Sequence, residues 1–275
     1  MELCRSHTKV ITTMKKILIA SLLALTSISA FAAPDQSGLD PAFAKVQQYL
    51  QAKNYTAAYT ELDVMAKAGN AQAMYNQAYM IQMGQGTAKN NGKALKLYQE
   101  SSDKGYSVAS YVLAQSYATG ELGLTKDAKK SKTYLEKASS QGFDDATLEL
   151  AVMAFAEGKD KEALQRIDPL IKKGNSQAIH TKALYDITQG YKTKNETLVK
   201  QGLNAIRDLA TKGYVPALMA VANMMTNGNI IEQNLPEAKK IYTALAKDNI
   251  PKAKESLDVV NKLLAEQAKQ PAPKK

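Results

Sequence analysis

The chain has 275 residues, with 36 Lys and Arg against 26 Asp and Glu, a formal charge of +10, one cysteine and two histidines. So little Cys and His leaves no material for a disulfide framework or a closed zinc site, which needs three or four such ligands. The basic excess is spread along the chain rather than run together, so it can steer acidic partners without marking a nucleic-acid arm.

The chain opens on a targeting pattern. Met14-Lys15-Lys16 is a short basic start, followed by the apolar run 17-ILIASLLALTSISAFAA-33. Ala30 and Ala32 form an A-x-A site, which predicts a secretory signal peptide over 1–32, cleavage before Ala33 and Met14 as the true start. The run is too short and too interrupted by Ser and Thr for a membrane span. No cysteine follows it, so the expected location is the periplasm without a lipid anchor. Cleavage takes away Arg5, Lys9, Lys15 and Lys16 against Glu2, three net positive charges, so +10 becomes +7 over 33–275. It also removes Cys4. Stability then has to come from packing.

After a linker at 33–39, one phrase recurs: AGNAQA at 68–73, KGYSVA at 104–109, QGFDDA at 141–146, KGNSQA at 173–178, KGYVPA at 212–217 and DNIPKA at 248–253. Its marks, Gly69, Gly105, Gly142, Gly174, Gly213 and Asn249, stand 36, 37, 32, 39 and 36 residues apart. A period of that length signals a solenoid. Eleven residues before each mark stands a small residue (Ala58, Ala94, Ser131, Ala163, Gly202, Ala238), and five residues after most phrase-ending alanines stands another alanine, as in Ala73/Ala78 and Ala109/Ala114. A helix ends well on a left-handed residue, a conformation that Gly adopts freely and Asn tolerates, so the phrase predicts the corner between repeats. Flanking segments have helical spacing, as in Ala238, Ile241, Tyr242, Leu245 and Ala246. The expected fold is all-α, a right-handed α-solenoid of antiparallel helix pairs over 40–268. First helices are predicted near 42–53, 71–83, 107–119, 144–156, 176–189 and 215–227. Second helices are predicted near 55–68, 91–104, 128–141, 160–173, 197–212 and 236–248. A capping helix is expected near 251–268, and a disordered Pro/Lys tail over 269–275.

The pattern of alanine, Leu-Ala or Leu-Gly, aromatic, Gly-x-x-Gly, Lys-Ala, aromatic and Gly-aromatic corner resembles the Sel-one-like repeat (SLR), a cousin of the tetratricopeptide repeat. Unit 109-ASYVLAQSYATGELGLTKDAKKSKTYLEKASSQGF-143 carries it most fully, with Leu113, Ala114, Tyr117 and Gly120. Unit 71–106 carries it through Ala78, Gly84, Gly86, Lys93-Ala94 and Tyr98, and unit 217–249 through Val221, Ala222 and Gly228. The resemblance implies a non-enzymatic scaffold for protein–protein interaction, in service of envelope assemblies such as a secretion system. The alternative from another class is binding or hydrolysis of cell-wall material or β-lactams, which is tied to cysteine-paired relatives whose cysteines this chain lacks.

Two units depart from the pattern. Unit 143–174 has only 158-GKD-160 for its inner loop. Unit 175–213 has Lys182 and Asp186 where apolar residues are usual and a longer loop, 190-GYKTKNETLVKQG-202; the departures read as local repacking with an i,i+4 surface pair, the alternative being a kink or a binding notch.

Chemistry has little to work with. His180 would be the sole histidine of the mature chain, and no Cys–His pair is possible. Asp144-Asp145 opens a helix, where carboxylates face the N-terminal amides. Gly84-Gln85-Gly86 follows a helix, not the strand a phosphate loop requires. No catalytic residue, cofactor or metal is expected. A partner-binding face is expected instead, on a concave surface lined by first helices. Positions two and six after the phrase-ending alanine form one stripe: Tyr75/Tyr79, Tyr111/Gln115, Leu148/Val152, His180/Leu184 and Met219/Asn223. The stripe admits two readings, a binding face or core packed against the adjacent repeat. As a binding face, its candidates are Tyr75, Tyr79, Tyr111, Gln115 and His180, and the partner is a protein or peptide of the bacterial envelope rather than nucleic acid.

Overall fold

The computed structural model describes residues 41–269. The leader 1–32, the linker 33–39 and residues 270–275 of the tail lie outside the described residues. A 3-10 turn at Pro41–Phe43 leads into α1 (Ala44–Gln51) and α2 (Tyr55–Lys67). Then follow α3 (Ala71–Met83), α4 (Asn91–Asp103), α5 (Ser107–Thr119), a 3-10 turn at Glu121–Gly123, α6 (Ala128–Ser140), α7 (Asp144–Ala156) and α8 (Asp160–Lys172). The chain continues through α9 (Ser176–Thr193), α10 (Glu196–Thr211), α11 (Val215–Asn227), α12 (Leu235–Lys247) and α13 (Ala253–Lys269). No strand occurs among the described residues. The helices fall where the spacing predicts them, most within a residue or two. The described residues form two compact units, 41–167 and 168–269. The division falls inside α8, two residues before Pro169, whose missing amide removes one rung of the helix.

All six repeat marks adopt positive φ, from 78° to 94° at the five glycines and 55° at Asn249. Each corner also makes the same pair of backbone bonds. Gly105 N–H donates to the Ser102 carbonyl and Tyr106 N–H to that of Ser101, both at 3.1 Å, and Gly213 and Tyr214 repeat this on Ala210 and Leu209. That 6→1 and 5→2 pairing satisfies carbonyls the helix end would leave orphaned.

The small residues of the pattern are where helices touch. Ala58, Ala94, Ser131, Ala163, Gly202 and Ala238 are all buried, and so are Ala73, Ala78, Ala109 and Ala114. In the unit 41–167, this contact closes a core of Tyr75, Ile81, Tyr98, Val112, Leu113 and Leu122. Burying each such side chain stabilises by about 1.5–3 kcal/mol. Ties at near-repeat spacing run between second helices, as from Lys137 to Asp103 at 2.6 Å and from Arg166 to Glu136 at 2.9 Å. Their exposure holds each to about 1 kcal/mol or less.

The expected loop 190–202 is instead mostly helical. Helix α9 runs on to Thr193 and α10 starts at Glu196, leaving only Lys194, at φ 57°, and Asn195, whose side chain caps α10 by accepting from Leu198 N–H at 3.1 Å. Gly190 and Gly202 are not turn glycines. A Cβ on Gly202 would lie 2.6 Å from the Ala183 carbonyl oxygen, and one on Gly190 would lie 2.6 Å from Val199 Cγ2. Both glycines let α9 and α10 approach.

Candidate protein-interaction face

The corner residue following each mark decides what the stripe does. At Asn70 and Asn175 the side chain caps the next helix, accepting from Ala73 N–H at 2.8 Å and Ala178 N–H at 2.9 Å. At Tyr106, Phe143 and Tyr214 no such cap forms, and the ring packs back on the preceding first helix. It lands on the position two after the alanine: Tyr106 on Tyr75 (5.2 Å between centroids), Phe143 on Tyr111 (4.8 Å) and Tyr214 on His180 (5.7 Å). The first line of the stripe is therefore the seam of the corners. Tyr75, 1% exposed, and His180, 4% exposed, cannot meet a partner, which corrects their assignment to a binding face. Leu148 is buried with them.

Tyr79, Tyr111 and Gln115 are only partly buried. Tyr111 and Gln115 stand on α5 opposite Glu149 of α7. Gln115 Nε2 donates to Glu149 Oε2 at 3.0 Å, and the Tyr111 hydroxyl donates to the same carboxylate. Burial raises the Tyr111 phenol well above its ordinary range, and the Glu149 charge adds to the shift. Burial likewise pushes the Glu149 and Asp145 carboxyls up, Asp145 with help from Asp144. The result is a polar spot with acidic character between α5 and α7. Helices α3, α5 and α11 contain no Lys, Arg, Asp or Glu, whereas every second helix carries at least one Lys. Glu149 was missed from sequence. It lies three residues after Ala146, where the other first helices have Asn76, Val112, Thr181 and Ala220, and that contrast was the available signal.

The pair Lys182–Asp186 forms, with Nζ 2.6 Å from Oδ2, but it is not the expected surface pair, because Asp186 is 7% exposed. It occupies the place of Ile81, Tyr117, Ala154 and Met225 in the other repeats. His180 Nε2 is buried with no hydrogen-bond partner, while the ring bonds the Pro216 backbone carbonyl. Burial lowers its pKa to about 4. An imidazole without a carboxylate to orient it or a nucleophile beside it makes no catalytic pair. Among the described residues, no three His, Cys, Asp or Glu side chains gather closely enough to hold a metal ion, and no helix is long and apolar enough to cross a membrane.

Comparison with known families finds the Sel1 repeat at residues 71–106, 107–143 and 215–249. Among solved structures, a Sel1 repeat protein from Oxalobacter formigenes is 24% identical at a TM-score of 0.67, over 86% of this chain and 100% of its own. A protective antigen present in uropathogenic Escherichia coli strains, displaying an SLR fold, is 21% identical at a TM-score of 0.63. That alignment covers 80% of this chain and 48% of the antigen, so the chain spans about half the antigen's length. At these identities the likeness shows the fold, an α-solenoid of the SLR type. No match is found among curated proteins.

Proposed function

As an SLR helical repeat protein carrying Sel1 repeats, the chain serves, we propose, as a non-enzymatic periplasmic scaffold that grips a protein partner on its first helices. Sel1 repeats by themselves suggest a protein-interaction scaffold. The observation that carries the finer reading is the segregation of charge in the unit 41–167: α3 and α5 are free of charged residues, and α7 has acids alone. On those helices Tyr79, Tyr111 and Gln115 are partly exposed, the last two beside Glu149. Rigid aromatics next to adaptable amides and a carboxylate suit the capture of a polypeptide segment. The leader pattern supports a periplasmic location. Service to an envelope-spanning assembly such as a secretion system is the specific form proposed, with no role in nucleic-acid binding.

Photo-crosslinking tests the face. A benzophenone side chain placed at Tyr79 or Gln115 of the full chain should give one discrete adduct in intact cells. The same group at Lys129, on a second helix, should not. Equal adducts at all three positions would remove the face. Osmotic-shock release and N-terminal sequencing test the location, and a chain retained in the cytoplasm with residues 14–32 intact would refute it.

A further inference from the structure

In the unit 168–269, helices α10, α11 and α12 leave an apolar groove of about 270 Å³. Ile206 and Met224 form its buried floor, and Leu203, Leu218, Val221 and Ile241 form half-exposed walls. One charged residue lines it, Arg207, which is exposed on the rim. Among the described residues that guanidinium meets only the Asn204 side-chain oxygen, at 3.4 Å, and no carboxylate.

The repeat register shows why the groove is apolar here. Ala210 and Leu218 stand three before the mark and one after the phrase-ending alanine. In the unit 41–167 those positions are Ala66 with Met74 at the first corner, then Ser102 with Ser110 and Ser139 with Thr147, and the two hydroxyl pairs are each joined at 2.7 Å. Ser110 also donates to Gln141 at 2.6 Å, which closes that corner with polar groups. Ala210 and Leu218 carry no hydroxyl to form such a tie, and in this corner they line the groove with aliphatic groups. Methionine in the lining suits an adaptable contact with aliphatic side chains. The volume falls below the ~300 Å³ at which pockets begin to enclose small molecules, so it fits side chains instead.

We propose that this groove is a second docking site, besides the Tyr79, Tyr111 and Gln115 positions of the unit 41–167, for a partner segment bearing two aliphatic side chains followed by a carboxylate. The aliphatic groups enter between Leu203, Leu218 and Val221, and the carboxylate meets Arg207, whose fork can hold both of its oxygens. Charge complementarity sets the choice of segment: an apolar floor alone would accept any aliphatic peptide, whereas the unpaired Arg207 favours an acidic one and disfavours a basic one.

Methionine-methyl NMR of the full chain tests it, with acetyl-Leu-Ala-Ala-Leu-Glu-amide as the probe. The Met224 and Met225 methyls should shift on titration to about 1 mM. Binding should weaken about two- to fivefold for the peptide ending in Lys, and equally for Arg207→Gln, which sits on the surface and leaves the fold intact. Val221→Trp, filling the groove, should abolish the shifts, with folding checked by circular dichroism. Unshifted methyls, or a Lys peptide that binds as well as the Glu peptide, would overturn the proposal. Methyls that shift with protein concentration alone, alongside dimer formation in sedimentation, would overturn it in favour of a second copy of the chain.

Discussion

Replacing Gly202 by alanine opposes two effects whose balance the structure decides. Inside a helix the exchange should help, because glycine costs roughly 0.5–1 kcal/mol relative to alanine. At this site the new methyl would lie 2.6 Å from the Ala183 carbonyl oxygen, 2.7 Å from Ile187 Cγ1 and 3.1 Å from Ile187 N. Two of those three atoms are backbone and cannot rotate away, so α9 and α10 must separate, loosening the cluster of Ala183, Leu184, Ile187, Ile206 and Leu209. Overpacking a close contact costs about 1–3 kcal/mol. Less the propensity gain, Gly202→Ala should lose about 1–2 kcal/mol. Gly92 is the internal control: in α4 its added Cβ would meet only the Asn90 side chain, at 3.6 Å, so Gly92→Ala should be neutral or slightly stabilising. Urea unfolding followed by circular dichroism measures both. A Gly202→Ala protein as stable as the parent would show that the helix contact is not tight, and the account of the eleven-before position would fail with it.

The repeat positions that sequence made legible were those where backbone geometry leaves few choices. A left-handed corner admits Gly or Asn, and helices in backbone contact admit Gly, Ala or Ser, so both positions recur as visible letters from Gly69 to Asn249 and from Ala58 to Ala238. The stripe was less legible because an aromatic at helical spacing reads the same in a core and on a face. What separated the cases was the identity of a residue some thirty positions away: Tyr106 covers Tyr75, Phe143 leans on Tyr111, and Tyr214 covers His180. The Gly190–Gly202 segment misled for a related reason. Glycine marks a turn and also a close helix contact, and only the atoms a Cβ would strike tell the two apart. The polar spot of Tyr111, Gln115 and Glu149 depends on a contact between helices 34 residues apart, and one sequence does not print such a contact.

The corners predict that Gly105→Val costs about 1 kcal/mol or more through backbone strain alone, since nothing lies within 4 Å of the added Cβ; unchanged melting would sink that assignment. Tyr75→Ala should cost about 3–5 kcal/mol in a melting experiment while Tyr79→Ala barely registers, and equal losses would return Tyr79 to the core. Lys182→Met should destabilise more than the double change Lys182→Met with Asp186→Leu, because the single change leaves Asp186 buried without its cation; the reverse order in urea midpoints would refute the pairing. Acid should loosen the unit 168–269 through His180. Its folded pKa of about 4 lies below the ordinary 6.5, so the neutral imidazole belongs to the fold and the proton to the unfolded chain. That contribution is fully present above pH 6.5 and is lost as pH falls to about 4, up to about 3 kcal/mol in all. Asp145 and Glu149 act with the opposite sign in the unit 41–167, because their raised values make protonation favour the folded state. Hydrogen exchange separates the two: amides of α9 and α11 should lose protection between pH 6.5 and 4, after correction for intrinsic exchange, and His180→Phe should flatten that loss while leaving α5 and α7 unchanged. A parent whose α9 amides keep constant protection over this range would show that the imidazole is not held neutral by burial.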